Sequence, residues 1–153
     1  MMEKINIVWF KRDIRTKDHL PLKLALESGL TVFMVYFFEP SLVNSPQYDL
    51  RHWRFVYQSI QSFNKSIKAF NTEIFIHHGE AIDFFERILS FVKVETVFSH
   101  IETGISISYE RDKCVSRFFQ KNDIKWKEFP QNGAIRGIKN RANTKKIKRA
   151  MVM

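Results

Sequence analysis

Apolar positions along this chain follow two rhythms that alternate. Short continuous runs, Ile5 to Phe10, Thr31 to Phe38, Glu73 to His77, Val94 to Ser99 and Ile124 to Phe129, are rich in β-branched and aromatic residues and read as strands. The first is apolar at nearly every position, the pattern of a strand covered on both faces. Between the runs the spacing changes to three and four. His19 to Ser28 is closed by Gly29, a helix C-cap. Asp49 to Phe70 sets Trp53, Val56, Tyr57, Ile60, Phe63, Ile67 and Phe70 along one helical face. Ala81, Phe84, Phe85, Ile88 and Val92 repeat that spacing, and Ser106 to Lys121 forms a fourth helix with Cys114, Val115, Phe118 and Phe119 turned inward. Strand and helix in alternation to a fifth strand predict an α/β fold, a Rossmann-like doubly wound parallel five-stranded sheet flanked by helices.

That architecture brings four segments to the carboxyl edge of the sheet, where ligands of open α/β sheets bind. They are "KRDIR" after the first strand, "EPS" after the second, "HHGE" after the third and "HIETG" after the fourth. Arg12, Asp13, Arg15, Glu39, Glu80, His100 and Glu102 gather there, with Phe10, Phe37 and Phe38 close by. Aromatic walls with a few polar anchors suit a flat heteroaromatic ligand. The plainer reading is that these charges are solvated strand ends and ion pairs, and that the phenylalanines are core. His77 and His78 are neighbours on a strand and point to opposite faces, so no metal is expected. There is no glycine-rich phosphate loop, no Gly-x-Ser-x-Gly elbow and no His-Glu-x-x-His.

Composition narrows the class. The chain of 153 residues is one domain's worth, and 44% hydrophobic residues with 15 Phe argue for a packed core. Its single cysteine, Cys114, excludes an internal disulfide and reads as a small buried hydrophobe. No signal peptide and no membrane segment are recognised, so a cytoplasmic protein is expected. The net charge of +9 is mostly local, since Gln131 to Met153 holds seven basic residues and no acidic one, leaving +2 for the rest. Residues 1–130 are therefore expected to form the α/β domain, and 131–153 a basic linker or tail.

The edge residues also carry a resemblance. "VWFKRDIRTKDHLPLKLAL" (8–26) is similar to the amino-terminal signature of the photolyase/cryptochrome family: Trp-Phe, two basic residues, Asp, a hydrophobe and Arg, then Asp-Asn. Asp18 fits this pattern, and His19 stands where the family usually has Asn. "VFMVYFFEPSL", "RHWRFVYQSIQSFNKSI", "SHIETGISISYERDKCV" and "NGAIRGIKNR" resemble later segments of the same domain in order, the last of them the start of its interdomain linker.

The resemblance implies the first domain of a two-domain flavoprotein. In the family this domain can hold an antenna chromophore, a folate, a deazaflavin or a flavin, which passes excitation energy to FAD. A helical domain holds the FAD and the DNA lesion, and photoexcited reduced FAD splits a pyrimidine dimer. Cryptochromes use a similar flavin for signalling. The helical domain is expected to be missing here, so catalysis, FAD binding and specific DNA binding by this chain alone are not expected. Phe10, Arg12, Phe38, Glu39, His100 and Glu102 are the expected antenna contacts, while Lys11, Asp13, Arg15, Arg111 and Asp112 are assigned to structure or to a domain interface. The alternatives are a module that docks a separate FAD-containing partner or self-associates through an uncovered face, cryptochrome-type signalling, and a basic tail that contacts nucleic-acid phosphates.

Overall fold

A computed structural model describes residues 1–131; the expected basic tail, apart from Gln131, lies outside the described residues. Five strands, β1 (Lys4–Phe10), β2 (Thr31–Phe38), β3 (Ile74–His78), β4 (Lys93–His100) and β5 (Lys125–Phe129), form one sheet in the order β3-β2-β1-β4-β5. Every pairing is parallel. The chain winds outward from β1 through β2 to β3, then returns to the other side of β1 for β4 and β5. The β1/β4 boundary is thus the topological switch point.

The helices are α1 (Leu20–Glu27), α2 (Pro40–Val43), α3 (Leu50–Ser66), α4 (Ala81–Ile88) and α5 (Ser106–Lys121). Strand residues alternate between two cores because successive side chains point to opposite faces. Val8, Phe10, Met34, Tyr36 and Phe98 pack with Ala25 of α1 and Val56, Ile60 and Phe63 of α3. Ile7, Trp9, Val35, Phe37 and Val97 pack on the other face with Phe84 and Phe85 of α4 and Val115 and Phe119 of α5. Among the described residues no helix is long and apolar enough to cross a membrane.

Three expectations about facing are corrected. Cys114 is exposed. The buried stripe of α5 runs Ser108, Asp112, Val115, Phe119, one position away from the apolar reading, because Asp112 turns inward to meet Lys11 at 3.3 Å. Tyr57 is also exposed, since α3 buries Trp53, Val56, Ile60 and Phe63 and Tyr57 lies a third of a turn off that line. Phe70 is exposed because α3 ends at Ser66, and a short 3-10 turn, Lys68–Phe70, carries the ring out to solvent. Gly29 takes φ +80° after α1, the left-handed conformation that its predicted role as a helix stop requires.

Candidate functional site

The charges that follow β1 are drawn into the molecule by partners from distant elements. Lys11 and Asp13 are buried. The Lys11 ammonium reaches Asp112 of α5 and lies 4.4 Å from the centroid of Trp9. Burial pushes its pKa down, and Asp112 opposes that shift. Trp9 carries a second cation, the Arg111 guanidinium, 4.8 Å from its ring centroid, and stacks on Trp126 at 5.6 Å.

Arg111 is the hub of the rim. One terminal nitrogen donates to Glu39 at the end of β2, the other to Glu102 after β4, and its Nε donates to Asp112 at 2.7 Å. Glu39 is 1% exposed, so an unpaired carboxylate there would be costly, and the guanidinium fork is what makes its burial tolerable. Two helix starts complete the frame reciprocally. Ala81 N–H, at the start of α4, donates to Glu39 Oε2 at 3.3 Å, while Ser41 in α2 donates from N–H and hydroxyl to Glu80 at 2.9 Å each. Gly104 lies under this rim, where an added Cβ would meet Ser108 Oγ at 2.5 Å.

Asp13 belongs to a separate buried cluster beside the rim. Its Oδ2 lies 2.6 Å from His100 Nδ1 and 2.7 Å from His19 Nε2, and its Oδ1 accepts from Lys11 N–H at 2.7 Å. His19 Nδ1 accepts from Leu22 N–H at 3.1 Å and caps α1, so its ring proton sits on Nε2, which lies 2.7 Å from Asp13 Oδ2 without the alignment of a hydrogen bond. Burial raises the Asp13 pKa, but the contacts from His100 and His19 outweigh it and hold the carboxyl well below its usual range. Asp13, His19 and His100 are the types and number of side chains a metal ion could use. Asp13 nevertheless lies at 2.6 and 2.7 Å from the two imidazole nitrogens, shorter than the roughly 3 Å between two ligands each about 2 Å from a shared ion. His77 and His78 diverge as their positions on a strand require, one against Phe84 and the other stacked on Phe38.

A cleft opens at the switch point. Phe10, Arg12, Glu39 and Glu102 of the expected contacts line it, together with Lys11 and Arg111. Phe38 is not among the lining residues and packs on Trp53 at 6.1 Å; His100 lies in the Asp13 cluster. Arg15 ties down the turn before α1 through the carbonyls of Lys17 and Asp18, both at 3.2 Å. Sequence reasoning missed the opposite wall, Tyr36, Tyr48, His52 and Trp53. Trp53 was read only as the inner face of α3, and Tyr48 and His52 carry no periodic signal. His52 stacks on Tyr48 at 5.0 Å and meets Trp53 edge-on at 4.7 Å. Partial burial and then the Arg12 charge push its pKa down, favouring the neutral ring. Arg12 Nη2 donates to the Tyr48 hydroxyl across the mouth, and its Nε lies 3.8 Å from Glu102.

A doubly wound sheet with an aromatic, ion-paired cleft at its switch point defines a Rossmann-like α/β domain of the kind that binds ligands beyond the carboxyl ends of its strands. The family model "DNA photolyase" matches residues 6–152, and the chain belongs to that family. It is 29% identical over 112 residues to a cryptochrome DASH of Synechocystis, covering 69% of this chain and 23% of the relative. It is 28% identical over 83 residues to cryptochrome-2 of Gallus gallus, covering 54% of this chain and 14% of the relative. The chain therefore corresponds to under a quarter of each of these proteins. The fold matches a Synechocystis cryptochrome structure with TM-score 0.75 at 22% identity, covering 84% of this chain and 27% of that one. It also matches an archaeal photolyase from Sulfolobus tokodaii, described with two FAD molecules, with TM-score 0.74 at 21% identity, covering 93% and 34%.

Proposed function

We propose that this chain is the amino-terminal antenna domain of a photolyase- or cryptochrome-like flavoprotein, holding a flat light-absorbing chromophore in the switch-point cleft. The observation that carries this reading is the cleft's make-up: rings of Trp9, Phe10, Tyr36 and Trp53 around a charged rim that is already internally paired. The rim's charges balance among themselves, so the site presents no net field. The residues present fit a ring ligand in one specific respect: the indole N–H of Trp53 is buried without an acceptor among the described residues. A bound antenna supplies light absorption and passes excitation to FAD, which in the family belongs to the helical domain along with the DNA lesion. In this reading Phe10, Arg12, Glu39 and Glu102 contact the ring directly, whereas Phe38 and His100 act from behind, through Trp53 and Asp13.

The test is the near-ultraviolet and visible absorption of freshly purified protein, with mass spectrometry of anything released, followed by titration with a folate, a deazaflavin and a flavin. A bound chromophore, or micromolar uptake of one of the three, is the expected result. Colourless protein that takes up none of them would overturn the reading.

A second reading, a module that docks a separate FAD-containing protein, is favoured by Phe55, which is 68% exposed on the rim beside Arg12 and Ile14. Sedimentation of the chain alone distinguishes simple self-association through that face from a surface that needs a different partner.

A further inference from the structure

We propose that the groove between α3 and the turn joining β1 to α1 is a docking site for an acidic protein segment that carries one large apolar side chain. The inference is independent of what the cleft holds, and it gives the exposed Phe55 a partner of stated chemistry. It follows from how charge is shared between the two helical faces and from the cations that the fold leaves unpaired.

α3 and the turn after it, residues 50–72, hold four basic side chains, Arg51, Arg54, Lys65 and Lys68, and no acidic one. On the opposite face of the sheet, α4 carries Asp83 and Glu86 against Arg87. The β1–α1 turn adds Arg12, Arg15 and Lys17 to the basic side, while Asp13 is buried against His100 and the Lys11 N–H. Arg15 donates to two backbone carbonyls, which leaves its charge uncompensated. Among the described residues Arg15, Lys17 and Arg54 make no ion pair. Arg12 holds Glu102 at a long 3.8 Å and is 46% exposed. Residues 131–153 contain no acidic side chain to match these charges.

Two hollows run along this seam and meet at Ile14 and Ser59. The first encloses about 250 Å³ between Ile14, Phe55 and Val56, with Arg12 at its side, and the second encloses about 410 Å³ and takes in Arg15 and Lys17. The first falls below the roughly 300 Å³ lower limit of small-molecule pockets, a space for one side chain rather than a cofactor. Phe55, 68% exposed, walls it. A lone exposed Phe is ordinary. One set at an apolar hollow beside cations without close carboxylates has the make-up of an anchor pocket with a charged rim, and carboxylates flanking the incoming anchor would complete it. The second hollow adds little competing chemistry, since Ser59 and Ser66 turn their hydroxyls back onto the carbonyls of Phe55 and Phe63 at 2.8 and 2.6 Å. A nucleic-acid strand fits less well, because it needs a continuing basic track and a stacking platform. This track is closed by Asp18 beyond Lys17 and by Asp49, which lies 3.6 Å from Arg51, and the hollow's other walls, Ile14 and Val56, are aliphatic.

The experiment is fluorescence-anisotropy titration of the full chain into a labelled peptide in which one phenylalanine stands between short runs of glutamate. Two control peptides replace the phenylalanine by alanine or the glutamates by glutamine, and a short single strand of oligothymidylate tests the nucleic-acid alternative. Micromolar binding of the acidic peptide is expected, at least about tenfold tighter than either control and weakening several-fold as salt rises from about 0.05 to about 0.3 M. Lys17→Glu and Phe55→Ser change exposed side chains, so both should keep the melting temperature of the parent and weaken the peptide about fivefold to tenfold. No binding of the acidic peptide, equal binding of either control, or unchanged affinity in either variant would overturn the inference. Tighter binding of oligothymidylate would also overturn it and assign the basic face to nucleic acid. The antenna reading stands or falls separately, because no arm contains a chromophore.

Discussion

Asp13 has a single oxygen within 2.7 Å of two imidazole nitrogens, one from the start of α1 and one from the end of β4. A carboxylate held this way is worth most when ionised. Its folded-state pKa is depressed below the roughly 3.9 of an unfolded Asp, so below about pH 4 the unfolded chain takes up a proton that the folded chain resists. Its contribution to stability is therefore full above that range and is lost as the pH falls towards the folded value. Asp13→Asn should lower stability at pH 7 by about 2–4 kcal/mol and flatten the acid limb. Urea midpoints of both proteins at pH 7, 5 and 3 check this; parallel losses in the two would refute it. Asp13 was legible in the sequence as an edge residue, but its partners were not. His100 lies 87 positions away, and His19 stood out only as a departure from a pattern that usually has Asn. Pairing over such separations leaves no local trace.

The spans that could be read were those whose apolar periodicity marks packing, even where the face also carries a buried polar residue, as Asp112 does on α5. β2 and α5 begin and end where the apolar pattern places them. What escaped were faces that a polar contact rotates, such as Cys114 on α5, and the four-residue α2, too short to show a period. A related device secures the edge strand β3. Asn64 of α3 accepts from Ile74 N–H at 2.7 Å, and its own amide donates to the Ile74 carbonyl at 3.4 Å, so one side chain acts as a short extra strand. Asn64→Ala leaves the buried Ile74 amide unpaired and should cost about 1–3 kcal/mol. Hydrogen exchange should quicken at β3 while β1 and β4 keep their protection; uniform quickening would argue against a local role.

At the level of the whole molecule, the 15 Phe that look alike in the composition divide sharply by position. Phe85 is fully buried and touches the rings of Trp9, Phe37 and Phe119, while Phe91 is 76% exposed. Phe85→Ala should cost about 3–5 kcal/mol, a large share of the roughly 5–15 kcal/mol available to a domain, and Phe91→Ser should stay within about 0.5 kcal/mol. Chemical denaturation of both variants checks the contrast, and similar losses would contradict the division of the core. The three tryptophans are arranged with equal economy: Trp9 and Trp53 line the cleft and Trp126 stacks on Trp9. All the indole fluorescence of the described domain therefore originates around a single cavity. An occupant that absorbs in the near ultraviolet would quench that emission as a whole, so the protein carries its own optical gauge of occupancy, with no label attached.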